Sequence, residues 1–195
     1  MIAKSIGSNG SDHARGRWKL APALALARAS CADTASMIVP DNGVCMDYFK
    51  VGREWLDYND HMNVAFYLKA FDDASDRLTA VAGMGQAYTQ ATSNSWVALE
   101  SHLSFQAEAR LGDALRIESR VLEVDEKKMH VYQEMYRDDS LLSTHEQLGI
   151  HFNTQERRGC RFADEIYTNL SALVDAQRRL SRPDWIGRSL GIRRP

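Results

Sequence analysis

Asp57-Tyr58-Asn59-Asp60-His61-Met62-Asn63 runs directly into Val64-Ala65-Phe66-Tyr67-Leu68-Lys69-Ala70-Phe71, and the helical pattern begun there continues to about residue 81. A strand-like run, residues 45–55, ends just before the polar stretch. The junction therefore crowds carboxylates, an imidazole and two amides around a helix N-terminus. Backbone N–H groups and the helix macrodipole favour developing negative charge at such a place. That combination suits acyl transfer.

The helix itself is amphipathic. Val64, Leu68, Phe71, Ala74, Leu78 and Val81 recur at steps of three to four, while Lys69, Asp72, Asp73, Asp76 and Arg77 occupy the other face. Asp73 is spaced for i,i+4 pairs with both Lys69 and Arg77, each contributing roughly 0.2–0.5 kcal/mol. Phe66, Tyr67 and Ala70 widen the apolar arc, as expected for a helix wrapped by a sheet.

Gly83-Met84-Gly85 ends the helix, and residues 86–94 read as a polar loop. Four strand candidates follow with no helix between them: 95–106, 114–124, 129–137 and 141–153. Their apolar sets are Val97/Leu99/Leu103/Phe105, Leu115/Ile117/Val121 and Met129/Val131/Met135 for the first three. Short polar turns between them imply an antiparallel meander. Residues 162–180 form a last helix pattern through Ile166, Leu170, Leu173 and Ala176. The expected fold is α+β, a five-stranded antiparallel sheet around one long helix, with a C-terminal helix added. The sheet's outer face and edges need covering, which points to a homodimer or homotetramer.

The 195 residues suffice for one domain, here 41–162, with a C-terminal helix and basic tail at 163–195. Residues 1–40 differ in character, being Gly/Ser-rich and basic, then alanine-rich. They read as a disordered extension, a targeting segment, or sequence upstream of a start at Met37 or Met46. A net charge of −2 supplies no general attraction to nucleic acid or to a membrane surface, and no apolar run approaches a membrane span. Three widely spaced cysteines fit neither a zinc site nor a disulfide framework, so a cytoplasmic location is expected. His130, His145 and His151 do not converge either. The last two share a face but lie about 20 Å apart at strand rise, so no metal site is expected.

The run Val51-Gly-Arg-Glu-Trp-Leu-Asp57-Tyr-Asn-Asp-His61-Met-Asn63-Val-Ala-Phe-Tyr67-Leu resembles the opening of hotdog-fold acyl-CoA thioesterases of the 4-hydroxybenzoyl-CoA thioesterase type. The resemblance extends from about residue 45 to 162, and its specific part is the 57–67 turn. Thr144-His-Glu-Gln147, His151-Phe-Asn153 and the Pro183-to-Arg193 tail look most like the thioesterases of carnitine breakdown that act on betainyl-CoA. Relatives often carry Gly where Asp60 stands. The resemblance implies hydrolysis of a short polar acyl-CoA, with coenzyme A as part of the substrate and no separate cofactor. Hydration of an acyl thioester, or acyl-CoA binding without turnover, are the alternative hotdog roles.

By spacing alone Asp57 is more readily an Asx-turn residue than a catalyst. The resemblance reverses this and implies the catalytic carboxylate, acting as nucleophile or as base for water. His61 either orients the thioester and shuttles a proton or braces the turn. Asn63 and Asn59 suit capping, while the N–H groups near Met62 to Val64 are expected to form an oxyanion hole. If the acyl group is a quaternary ammonium, an aromatic cage from Trp55, Tyr58, Phe66, Tyr67 and Trp96 would hold it, although aromatic residues here also suit plain core. Arg110, Lys127, Lys128, Arg157 and Arg158 are candidates for the CoA phosphates. Glu100, His102 and Ser104 read as an exposed strand face.

Overall fold

The computed structural model describes residues 41–191; the expectations for residues 1–40 and for the last four lie outside it. The chain runs β1 (Val44–Lys50), a 3-10 turn (Arg53–Trp55), α1 (Val64–Val81), α2 (Gln86–Thr92), β2 (Asn94–Phe105), β3 (Ala114–Val124), β4 (Lys128–Arg137), β5 (Ser140–Asn153), β6 (Arg158–Gly159) and α3 (Asp164–Ala176). Five long antiparallel strands, with two-residue β6 appended to β5, curl around α1. This is the expected hotdog arrangement.

Several local expectations change. The strand-like run 45–55 is a strand only to Lys50; Val51 then exchanges backbone hydrogen bonds with Asp113 and Gly112, and the chain turns. Residues 86–92 form a short helix rather than a loop, stopped by Ser93 in the left-handed region at φ 60°. The Tyr88 hydroxyl, 2.9 Å from His151 Nε2, pins that helix to the sheet.

The sheet order, β1-β3-β4-β5-β2, corrects the simple meander. Only β3, β4 and β5 follow one another; β2 returns to pair with β5 at the edge. Its connection to β3 must therefore cross from one side of the sheet to the other. Residues 106–113 make that crossing, longer than a tight hairpin needs.

A bulge at Leu99 breaks the alternation of β2. Val97 and Leu99 are 40% and 55% exposed, whereas Leu103 packs against the helix side. The buried arc of α1 is likewise rotated from the expected stripe. Tyr67, Ala70, Phe71, Ala74, Ser75 and Leu78 face inward, leaving Val64 and Leu68 59% and 41% exposed. Fully burying Phe71 or Leu78 stabilises the fold by about 1.5–3 kcal/mol each. Of the two expected helix pairs only Lys69–Asp73 forms, at 2.8 Å. Arg77 instead reaches Asp47 on β1 at 2.9 Å, countering the rise in carboxyl pKa that burial imposes.

A polar layer divides the core in two. Val51, Met62, Tyr67, Phe71, Ala109 and Leu115 belong to the cluster at the N-terminal end of α1. Leu78, Val121 and Met129 pack at the other end with Ile166, Leu170 and Leu173 of α3, which closes that end. Between them, Gln133 Nε2 donates to Phe71 O at 3.1 Å and to Ser119 Oγ at 3.0 Å. A carbonyl only accepts, so Gln133 Oε1 is turned towards His145 Nδ1, 2.7 Å away. Nδ1 therefore carries the imidazole proton, and Nε2 accepts from Ser101 Oγ at 2.7 Å. Every polar atom of His145 is thus satisfied while it remains neutral.

Beyond α3 the chain continues as a strap over the outer side of the sheet. Arg120 Nη1 on β3 donates to Ser181 O at 3.1 Å, and Gly187 N donates to Glu146 Oε2 on β5 at 2.8 Å. Part of the outer face expected to need a second subunit is therefore covered in cis.

Burial pushes the His145 pKa down to about 4. The unfolded chain, with histidine near 6.5, then binds the extra proton first as pH falls. The stabilisation is complete above about pH 6.5 and is lost progressively towards pH 4. Chemical denaturation of the protein and of His145→Asn across this window should show the stability gap narrowing as pH falls; a constant gap would contradict the assignment.

Candidate functional site

The turn before α1 is built by its own side chains. Asp57 Oδ1 accepts from the backbone N–H groups of Asn59 at 2.8 Å and His61 at 3.3 Å, while Asn59 Nδ2 lies 3.5 Å from Oδ2. These bonds, chiefly that from Asn59, hold the Asp57 carboxyl below the usual carboxylate range. Asp60 takes φ 59°, which explains why glycine suits this place and why aspartate is still tolerated. Asp57 N donates to His61 O at 2.8 Å and closes the loop. Asp57 is thus an ionised, partly exposed carboxylate with one oxygen tied and the other held only loosely.

Asn63 caps α1 through its side chain, which accepts from Ala65 N at 2.9 Å. Two of the three expected oxyanion donors are already committed: Met62 N to Ala109 O and Asn63 N to Trp55 O, both at 2.8 Å. The Val64 amide, at the first helical position, has no acceptor among the described residues. One free N–H at the positive end of an eighteen-residue helix remains.

The crossover 106–113 brings in a group that no motif announced. Glu108 Oε2 lies 3.1 Å from His61 Nε2, and its other oxygen binds Arg110. Arg110 Nη2 is also 3.4 Å from His61 Nε2. A carboxylate can only accept, so the closer Glu108 assigns the proton to Nε2 and leaves Nδ1 as the free ring nitrogen. The available signal was the length of the segment between β2 and β3, too long for a plain hairpin.

The candidate aromatic residues divide. Trp55 and Phe66 stack, with centroids 5.6 Å apart and planes at 13°. Tyr67 is buried nearby, its hydroxyl accepting from Ala109 N at 2.8 Å. Tyr58 projects from the turn at 95% exposure. Trp96 packs in the other core cluster, over Gly149, roughly 30 Å along β2 from Phe105 at strand rise.

Among the proposed phosphate ligands only Arg110 lies at the turn. Lys127 and Lys128 are at the β3–β4 turn, and Arg157 and Arg158 at the β5–β6 turn, near the opposite end of β2. His145 and His151 are buried in separate hydrogen-bond systems, and no group of three His, Cys, Asp or Glu side chains among the described residues is placed to hold a metal ion. No described helix is long and apolar enough to cross a membrane.

Comparisons with known proteins bear on the family and the fold. The model of the thioesterase-like superfamily matches residues 51–170. A betainyl-CoA thioesterase of Pseudomonas aeruginosa is 33% identical over 71% of this chain and 89% of its own length. An L-carnitine dehydrogenase/betainyl-CoA thioesterase of Ruegeria pomeroyi is 34% identical over 74% of this chain, which spans only 29% of that longer protein. A hypothetical protein of Staphylococcus aureus, solved in complex with CoA, shares the fold with a TM-score of 0.74 at 24% identity, over 77% of this chain and 96% of its own. With the family model covering the turn, the central helix and the whole sheet from β2 to β5, the chain belongs to the thioesterase-like superfamily and is a hotdog-fold thioester hydrolase.

Proposed function

We propose that the protein hydrolyses a short, cationic acyl-CoA of the betainyl type, with Asp57 as the reacting carboxylate. The observation that carries this is the pairing, at one helix N-terminus, of an ionised carboxylate having a loosely held oxygen with an amide N–H that has no acceptor. The thioester carbonyl oxygen accepts from the Val64 N–H, so charge develops where the dipole is favourable. Asp57 either attacks the carbonyl to expel the CoA thiolate, water then cleaving the mixed anhydride to the free acid and restoring the carboxylate, or draws a proton from the water that attacks the carbonyl directly. His61, its Nε2 proton directed to Glu108, offers the unprotonated Nδ1 as a proton acceptor to the attacking water. Asn59 and Asn63 hold the turn and the helix start.

The acyl preference follows from the Trp55–Phe66 stack beside the turn, with Tyr58 and Tyr67 flanking it. An aromatic face stabilises a desolvated quaternary ammonium by up to about 2 kcal/mol. Trp96, at the other end of β2, takes no part in this reading. The mechanism requires a carboxylate, an amide and water, and we assign it no cofactor. The free thiols of Cys45 and Cys160 are compatible with a cytoplasmic site of action.

A second copy of the chain completes the fold in this proposal. β2 is an edge strand twelve residues long, with Val97 and Leu99 exposed upon it, an arrangement that invites pairing. Sedimentation should give a dimer or tetramer, and Leu99→Lys should shift it towards monomer; a monomeric parent protein would refute the pairing.

Thiol release from an acyl-CoA panel tests the chemistry. Betainyl-CoA should exceed acetyl-CoA in kcat/KM, and Asp57→Asn should lose about a hundredfold or more; full activity in that variant would remove Asp57 from the mechanism. Val64→Pro tests the donor separately. Proline is tolerated at the first helical position, and Asn63 already has the extended backbone that proline requires before it. The variant should fold with unchanged thermal stability yet lose about 10²–10³ in kcat.

A further inference from the structure

The strap is the most cationic part of the chain. Residues 177–195 contain six arginines and one aspartate, although the whole protein carries a net charge of −2. After its anchor on Glu146, the strap faces the β2–β5 pair across a cleft of about 310 Å³. Trp185 and Arg188 stand on the strap side; His102, Ser104 and Thr144 stand on the sheet side. The Arg188 guanidinium lies over the Trp185 ring at 3.8 Å, and its Nε donates to Asp184 O at 3.1 Å. Those two contacts fix its plane. It pairs with no carboxylate among the described residues. Glu146, the acid at the cleft, has both oxygens engaged, by His130 Nε2 at 2.9 Å and by Gly187 N at 2.8 Å.

An oriented guanidinium without an acid partner among the described residues, in a cleft also lined by two hydroxyls and an imidazole, is suited to phosphate oxygens. The cleft also lies at the catalytic end of β2. Phe105 lines it and meets Tyr67 edge-on at 5.2 Å, and Tyr67 is bonded to Ala109, which holds the Asp57 turn. We propose that this cleft binds the phosphorylated nucleotide end of the coenzyme A thioester, with Arg188 on its phosphates. The assignment rests on the acyl-CoA reading of the Asp57 site and gives that substrate's distal half a place. It also gives the strap a role beyond covering the sheet.

Adenosine 3′,5′-bisphosphate is the probe, used with the full-length protein. Calorimetry should detect its binding, and it should inhibit acyl-CoA hydrolysis competitively. Arg188→Gln should weaken both that binding and the KM for acyl-CoA about tenfold or more, with Arg188→Lys recovering part of the loss. On an acyl-pantetheine thioester, which lacks the nucleotide, the deficit should shrink to within about twofold. Equal losses on both substrates, an unchanged KM for acyl-CoA, or bisphosphate binding that does not compete with acyl-CoA would each overturn the assignment. Because calorimetry reads the nucleotide without turnover, bisphosphate binding that Arg188→Gln weakens, in a protein inactive on thioesters, would overturn the acyl-CoA reading and keep the phosphate cleft. Activity without bisphosphate binding would do the reverse.

Discussion

The backbone of one buried residue, Ala109, ties the Asp57 turn to the start of α1 and to the β2–β3 crossover. Its carbonyl accepts from Met62 N and its amide donates to the Tyr67 hydroxyl, each at 2.8 Å. The first bond fixes the turn that carries Asp57, and the second fixes the first turns of α1. Both partners are buried, so leaving either group unpaired would cost about 1–3 kcal/mol. Ala109 itself sits on the crossover from β2 to β3, and the position of that crossover follows from the sheet order. The turn, the helix and the crossover are thus joined at a single residue. Glu108 and Arg110 reach His61 because they flank it.

From this clamp the molecule divides by polarity along α1. At the N-terminal end the helix dipole, a free amide and ionised side chains meet solvent, where charge can develop and be screened. Midway, the Gln133–His145–Ser101 chain crosses the interior with each donor matched to an acceptor. A buried polar chain costs little only when complete, and this one fixes the amide orientation and the imidazole tautomer in turn. At the far end α3 seals an apolar cluster. Apolar clusters thus lie on both sides of the polar layer, and the Asp57 turn stands at the solvent-facing end of the first.

Among the described residues, part of the sheet's outer side is covered by an irregular strap. The strap crosses from β3 to β5, held by bonds to Arg120 and Glu146, and leaves β2 as an open edge. Arg188 then lies over the β2–β5 face of an otherwise acidic chain. Covering part of the sheet and bringing positive charge to its outer face are done by the same segment.

The helix at 64–81, the strands at 114–124 and 129–137, and the polar turn before α1 were legible in the sequence because each depends on local periodicity or capping. Asp57, His61 and Asn63 are neighbours in the chain, so their grouping needed no tertiary information. Leu99 was misread because a bulge changes the phase of a strand without any signature in the residue itself. Glu108 and the place of Arg110 were hidden because adjacency in a sheet depends on which strands pair. That pairing is decided by burial of the whole helix rather than by any window of residues. Local periodicity and capping thus specify α1, β3 to β5 and the polar grouping of the turn, while the short α2 at 86–92 has no such signature. Only the tertiary structure decided which edge β2 occupies, which amide stays free, and where the cationic strap comes to rest, because each depends on hydrogen bonds between segments far apart in the chain.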